Sequence, residues 1–145
     1  MKIRIWREEQ LKDIALIIKQ RVKKGDLVIF SGELGAGKTT LIKYICSLYG
    51  IDPDRVKSPS FSIQNIYPGP TMRVNHYDLY RVADIDDLEL LNLFEDMEDA
   101  LTLIEWGSKF IDVLGCHCTL MVSMGYLEGS VQGREIIIGK GGKEG

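Results

Sequence analysis

The sequence predicts a single α/β domain in which helices flank a central sheet, and three observations lead to this fold class. Residues 32–39 form a glycine-rich segment, GELGAGKT, between an apolar run at 26–31 and a stretch with helical spacing. Apolar runs alternate with helical stretches along the chain, as they do when helices cover a sheet. The 145 residues suit one domain with one core, and no repeat or linker divides them. The predicted domain spans residues 1–138.

A strand and a helix are predicted before the glycine-rich segment. Residues 2–6 alternate polar and apolar side chains, which indicates a half-buried strand and not a signal peptide. A helix is predicted over 8–23 because apolar side chains recur there three and four residues apart. Those side chains are Leu11, Ile14, Ala15, Ile18 and Val22. The run 26–31 is short and apolar, like a buried strand, and the helix after the glycine-rich segment ends near Gly50.

The rest of the chain is punctuated by proline, glycine and polar clusters. Pro68-Gly69-Pro70 separates two apolar-alternating runs, which favours a hairpin, and Asp84 can cap a helix. The predicted elements are strands 61–67 and 72–78, a helix at 84–91, a strand at 101–104, a short helix at 107–114, and strands 117–124 and 134–138. Residues 139–145, which are rich in glycine, are expected to form a disordered tail.

The glycine-rich segment fits the phosphate-binding pattern G-x-x-x-x-G-K-[ST]. Glycines allow backbone conformations in which several N–H groups point at one anion, and the N-terminus of the next helix also attracts phosphate. Lys38 is expected to point into a solvated cradle and reach the β- and γ-phosphates, while Thr39 holds Mg²⁺. The sequence therefore predicts a P-loop NTPase-like fold. The predicted nucleotide ligands in the loop are Glu33, Leu34, Gly35, Ala36, Gly37, Lys38, Thr39 and Thr40.

Carboxylates elsewhere are candidates for the metal site and for the attacking water. Glu105 ends an apolar strand, and ligands of open α/β sheets bind at the carboxyl ends of strands. His76, Asp78 and Tyr80 would share one face of a strand, although, taken alone, this pattern is better explained by a charged edge strand with an aromatic packing partner. Residues 58–61 lie where GTPase-like proteins have a switch loop, although alone they indicate only a turn.

Composition and charge exclude some functions. The net charge of −3 gives no overall basic field, so the protein is not expected to bind tRNA tightly by itself. No apolar stretch is long enough for a membrane span. The three cysteines form no disulfide framework, which suits a reducing cytoplasm. No NKxD-like segment that would read guanine is present, which favours ATP over GTP.

Four segments, in their order and spacing, closely resemble the TsaE family, formerly YjeE. They are GELGAGKTT at 32–40, VKSPSF at 56–61, HYDLYR at 76–81 and LIEW at 103–106. The resemblance implies a small bacterial P-loop ATPase that works with TsaB, TsaC and TsaD to make threonylcarbamoyladenosine next to the tRNA anticodon. It implies that the protein docks on the TsaB–TsaD complex, meets tRNA only through that complex, and hydrolyses ATP to reset TsaD between turnovers.

The resemblance also implies roles for individual residues. By position, it gives the catalytic residues Lys38, Asp78 and Glu105 and the Mg²⁺ ligands Thr39, Ser60 and Glu105. Which of the two carboxylates is the base stays open. Ser60 stands where the family usually has threonine and retains the hydroxyl ligand. Trp106 matches the family tryptophan beside the nucleotide, and Gly107 replaces the proline that often follows it.

Two other functions use the same motifs. A stand-alone small-molecule kinase would need several cations around the transferred phosphoryl group, and only Arg81 and Arg73 lie near the motifs. A nucleotide-gated binding module with negligible turnover would share its parts with a slow ATPase.

Overall fold

The computed structural model describes residues 1–144 as seven strands and five α-helices. The strands are β1 (Lys2–Ile5), β2 (Leu27–Gly32), β3 (Gln64–Tyr67), β4 (Arg73–Asp78), β5 (Ala100–Glu105), β6 (Leu120–Tyr126) and β7 (Arg134–Lys140). The helices are α1 (Leu11–Arg21), α2 (Lys38–Leu48), α3 (Ile85–Glu89), α4 (Leu93–Asp96) and α5 (Ile111–Leu114). No helix within residues 1–144 is both long enough and apolar enough to cross a membrane.

All seven strands form one mixed sheet in the order β1-β7-β6-β2-β5-β4-β3. The four central strands β6, β2, β5 and β4 run parallel, so their carboxyl ends meet at one edge. Antiparallel strands extend the sheet on both sides, β7 and β1 beyond β6 and β3 beyond β4. The predicted α/β class, sheet flanked by helices and hairpin of β3 and β4 are confirmed.

The sheet separates two hydrophobic cores. Strand β2 is buried on both faces, and its side chains alternate between them because successive residues of a strand point to opposite sides. Val28 and Phe30 join the core beneath α1 and α2, whereas Leu27 and Ile29 join the core beneath the short helices α3, α4 and α5. The predicted face of α1 is buried at Leu11, Ile14, Ala15 and Ile18.

Several predicted boundaries are wrong by a few residues. Residues 8–10 form a 3-10 turn before α1, and the helix ends at Arg21. Strand β3 begins at Gln64 instead of residue 61, because Ile63 has φ 69° and its N–H bonds back to the carbonyl oxygen of Pro59 at 2.8 Å. Strand β6 begins at Leu120 instead of 117, after a 3-10 turn over Gly115–His117.

The expected tail from residue 139 onward is largely ordered in the structure. Strand β7 continues to Lys140, and the N–H of Gly141 donates to the carbonyl oxygen of Thr119 at 2.9 Å. Lys143 forms an ion pair with Asp26, with 2.8 Å between Nζ and Oδ1. Glycine is needed here for close packing, because a Cβ on Gly141 would lie 2.0 Å from the carbonyl oxygen of Cys118. Residue 145 lies outside the described residues.

Candidate nucleotide site

The glycine-rich loop connects β2 to α2 at the carboxyl edge of the parallel strands. Gly32 has φ 144°, and a Cβ on it would lie 2.2 Å from the carbonyl oxygen of Met124 on β6. Gly35 and Gly37 have φ 80° and 107°, conformations that other residues adopt only with strain. Gly37 is the N-cap of α2, so the loop leads directly into the helix N-terminus, where unpaired N–H groups favour an anion.

The sequence predicted that Lys38 points into an open, solvated cradle, and this prediction is wrong. Its ammonium donates to the carbonyl oxygen of Gly32, lies 3.5 Å from that of Glu33, and sits 4.1 Å from the ring centroid of Trp106. Only 5% of the residue is exposed. Burial lowers the pKa of Lys38, and the charges of Glu105 and Asp78 partly oppose that shift. A phosphate that binds Lys38 therefore has to compete with the loop's own carbonyl groups.

Glu105 lies at the end of β5 and is bonded on two sides. The hydroxyl of Thr39 donates to its carboxylate at 3.1 and 3.3 Å. Nε2 of His76 lies 2.7 Å from Oε2, so the ring N–H donates to the carboxylate. His76 is fully buried on β4, and Nδ1 lies 3.0 Å from the hydroxyl of Tyr67 on β3. The Tyr67 hydroxyl in turn accepts the backbone N–H of Lys57 at 3.3 Å. A continuous set of hydrogen bonds thus joins Glu105 to the segment that leads to Ser60.

Asp78 lies beside Glu105 because the two residues are paired in register at the ends of β4 and β5. It is 5% exposed and accepts a hydrogen bond from the N–H of Tyr80 at 3.0 Å. Two expectations about this segment are wrong. Strand β4 is not an edge strand, because β3 and β5 flank it, and Tyr80 lies beyond its last residue. His76 and Asp78 do lie on the same face of β4, as the sequence predicted.

A cavity of about 480 Å³ unites most of the predicted site residues. Its lining consists of Leu34, Gly35, Gly37, Lys38, Thr39, Thr40, Ser58, Ser60, Asp78, Tyr80, Arg81, Glu105 and Trp106. Two predicted loop ligands do not line it: Glu33 is exposed, and Ala36 is buried against a neighbouring cavity. Trp106 has φ 59°, and its ring packs against Tyr80 with the centroids 5.1 Å apart.

The cavity combines groups suited to a phosphate chain and to a hard cation. Hydroxyl and carboxylate oxygens of Thr39, Ser60, Asp78 and Glu105 are the ligand type that Mg²⁺ prefers. The sequence suggested no role for His76 or Tyr67 in orienting Glu105. The one available signal for His76 was its position on the same strand face as Asp78; no sequence signal marked Tyr67.

Comparisons with known proteins identify the family of this chain. The family model described as threonylcarbamoyl adenosine biosynthesis protein TsaE matches residues 5–135. The tRNA threonylcarbamoyladenosine biosynthesis protein TsaE of Rickettsia typhi is 33% identical over 100 residues, 69% of each chain. Its counterpart from Streptomyces coelicolor is 34% identical over 107 residues, 72% of each chain. The crystal structure of Bacillus subtilis YdiB superposes with a TM-score of 0.71 at 25% identity, covering 97% of this chain and 86% of that one. The chain belongs to the TsaE family of tRNA threonylcarbamoyladenosine biosynthesis proteins.

Proposed function

We propose that the protein binds ATP with Mg²⁺ on the glycine-rich loop and hydrolyses it slowly in the absence of partners. The observation that carries the proposal is the single cavity in which the loop, Lys38 and Thr39 face two strand-end carboxylates, Asp78 and Glu105. Phosphoryl transfer to water requires mainly positioning and charge stabilisation, and these groups supply both.

Each residue has a distinct task in this proposal. Lys38 leaves the loop carbonyls and binds the β- and γ-phosphates, and the loop N–H groups complete the cradle. Thr39, Ser60 and Glu105 would hold Mg²⁺, which would neutralise charge on the phosphates. Asp78 or Glu105 orients the attacking water. Trp106 packs beside the nucleotide.

We link the proposed ATP hydrolysis to the family's role in tRNA modification. The protein docks on the TsaB–TsaD complex in the cytoplasm, and ATP turnover resets TsaD between rounds of threonylcarbamoyladenosine synthesis. The net charge of −3 supports contact with tRNA only through that complex. For the reset to work, affinity for TsaB–TsaD must differ between nucleotide states, because a ligand shifts an equilibrium only by its preference for one state.

ATP turnover and binding of the parent and two variants, alone and with TsaB–TsaD, test the proposal. Lys38→Ala should lose ATP binding, because it removes the positive charge that binds the β- and γ-phosphates. Glu105→Ala should lose about 100-fold or more in turnover but less in binding, because an orienting group acts mainly in the transition state. TsaB–TsaD should raise turnover and bind more tightly with an ATP analogue and Mg²⁺.

The other outcomes identify the rival functions. A phosphorylated metabolite in place of free phosphate would show a kinase. Nucleotide-dependent docking with no turnover above background would show a binding module. Unchanged ATP binding by Lys38→Ala would refute the phosphate site itself.

A further inference from the structure

Strand β3 forms one edge of the sheet, and part of its backbone is free to bond to another strand. The N–H of Asp78 donates to the carbonyl oxygen of Ile63 at 2.8 Å, just before β3 begins. Bonded and non-bonded pairs alternate along antiparallel strands, so every second residue from Ile63 onward bonds to β4. The N–H and C=O groups of Gln64 and Ile66 therefore point outward, and no other segment within residues 1–144 bonds to them.

The two edges of the sheet differ in charge. At the far edge, β1 carries the exposed side chains of Lys2 and Arg4, and such charges discourage another strand from pairing. Strand β3 has the sequence QNIY, which contains no charged side chain, and Ile66 is 49% exposed. The edge at β3 therefore lacks the charges that protect β1 and is open to the addition of a strand.

A groove of about 500 Å³, which we call the β3 groove, lies between this edge and residues 54–57. Its lining consists of Asp54, Arg55, Lys57, Asn65, Ile66 and Tyr67. Arg55 and Lys57 are exposed, and neither forms an ion pair within residues 1–144. Two cations and one carboxylate make the β3 groove positive on a protein whose net charge is −3. Charge complementarity therefore favours a negatively charged occupant.

We propose that β3 is a docking site for an extended segment of a partner protein in which acidic and apolar side chains alternate. The segment adds to the sheet through the free backbone groups of Gln64 and Ile66. Its side chains point alternately to the two faces of the sheet. The carbonyl oxygen of Lys57 accepts the side-chain amide of Asn65 at 3.2 Å, so residues 54–57 border the face opposite to that of Ile66. The acidic side chains therefore meet the cations of the β3 groove, and the apolar ones meet Ile66.

Docking at β3 acts on a segment that leads to the nucleotide site. The Tyr67 hydroxyl accepts the backbone N–H of Lys57 at 3.3 Å, and Ser60 lies three residues further along the chain. A strand bonded to β3 restricts the motion of Tyr67 and Lys57, and with them the residues that lead to Ser60. The docking itself requires no nucleotide, so it can be tested separately from the proposed function.

Two peptides test the docking site. The probe is Thr-Glu-Val-Glu-Val-Glu-Thr with an acetylated and an amidated end, and the same peptide with lysine in place of glutamate is the charge control. In an NMR titration of the nucleotide-free protein, the probe should bind saturably, bind more weakly as salt is raised, and slow the amide exchange of Gln64 and Ile66. The lysine peptide should bind at least about 10-fold more weakly, because like charges meet at Arg55 and Lys57.

Variants test the backbone and the charges separately. Ile66→Pro removes one outward N–H, a change that edge strands tolerate, and should weaken probe binding about 5- to 10-fold, as expected for one lost hydrogen bond. Lys2→Pro is the matched control, because it removes an outward N–H from the opposite edge strand, and it should bind like the parent. Arg55→Glu combined with Lys57→Glu should reverse the preference, so that the lysine peptide binds more tightly than the probe.

The contrary results are equally distinct. A parent that does not bind the probe at millimolar concentration, or that binds both peptides equally, would overturn the proposal. Parent-like binding by Ile66→Pro would overturn strand addition. A parent that sediments as a dimer while Ile66→Pro sediments as a monomer would show that a second copy of this chain occupies β3 instead. None of these measurements involves ATP, so each of these failures leaves the proposed function intact.

Discussion

Replacing His76 with phenylalanine should destabilise the protein by removing two buried hydrogen bonds at nearly constant ring volume. The imidazole is fully buried, with Nε2 2.7 Å from Glu105 Oε2 and Nδ1 3.0 Å from the Tyr67 hydroxyl. A phenyl ring fills the same space without a donor or an acceptor. A buried carboxylate and a buried hydroxyl each lose a partner, whereas packing changes little.

The expected cost follows from what each group retains. A buried polar group left without a partner costs about 1–3 kcal/mol. Glu105 keeps the hydrogen bond from Thr39 at 3.1 Å, and the freed Tyr67 hydroxyl can donate to the carbonyl oxygen of Lys57, also at 3.1 Å. Each loss therefore falls in the lower part of that range, about 2–4 kcal/mol together. For a domain of this length that corresponds to a fall in Tm of about 6–12 °C.

Urea unfolding followed by circular dichroism measures this cost directly. His117→Phe is the matched control, because the same chemical change is made at an exposed histidine whose ring lies 4.7 Å from Phe94. The control should stay within about 0.5 kcal/mol of the parent. If His76→Phe unfolds at the parent's urea midpoint with an unchanged slope, the buried hydrogen bonds do not stabilise the site and the reasoning fails.

Other variants test the loop and the carboxyl-terminal residues. Gly32→Ala should destabilise the protein by more than about 3 kcal/mol in the same urea assay, because its Cβ would lie 2.2 Å from the carbonyl oxygen of Met124; parent-like stability would contradict the close approach. Burial alone would raise the pKa of Asp26, but hydrogen bonds from Lys143 and from the N–H of Lys23 outweigh it and lower the pKa below 3.8. Because the folded pKa is the lower one, Asp26 contributes stability above its unfolded pKa of about 3.9 and loses it as the pH falls through the folded value. Asp26→Asn should therefore flatten the fall in stability below about pH 4, measured as urea midpoints from pH 5 to 2, and an unchanged acid slope would exclude Asp26 as its source. Lys143→Met should make that fall smaller, because it raises the folded pKa of Asp26 toward the unfolded value, and an unchanged fall would show that the ion pair does not form in solution.

The parts of the site that follow from local pattern could be read from the sequence. An apolar run, a glycine-rich segment and a helical stretch fix the phosphate loop, because each depends on neighbours in the chain. The meeting of Asp78 and Glu105 was implied only by the family resemblance, because it depends on the parallel pairing of β4 with β5, which no local pattern indicates. The contact of Lys38 with Trp106 does not follow, because it depends on a backbone φ of 59° at Trp106 that no local pattern indicates.

A glycine-rich segment can be disordered, or it can pack closely because it lacks side chains. Composition alone does not distinguish the two; the packing in the folded structure does. The sequence read residues 139–145 as too poor in side chains to pack. In the structure, the missing side chain at Gly141 is what allows the backbone to approach Cys118. The same ambiguity does not arise at Gly35 and Gly37, because the spacing to Lys38 and Thr39 gives those glycines a known task.

The orientation of Glu105 and the position of Ser60 share one buried support. Tyr67 has a single hydroxyl hydrogen and two acceptors within reach, Nδ1 of His76 at 3.0 Å and the carbonyl oxygen of Lys57 at 3.1 Å. The ring N–H of His76 is directed at Glu105, so Nδ1 is left to accept from Tyr67. With its hydrogen donated to Nδ1, the Tyr67 hydroxyl holds Lys57 by accepting its backbone N–H at 3.3 Å. A shift of the carboxylate that turns the imidazole therefore moves the hydroxyl that holds Lys57. Since Lys57 lies three residues before Ser60, the side chains that orient Glu105 also hold the segment that carries Ser60, a Mg²⁺ ligand of the proposed site.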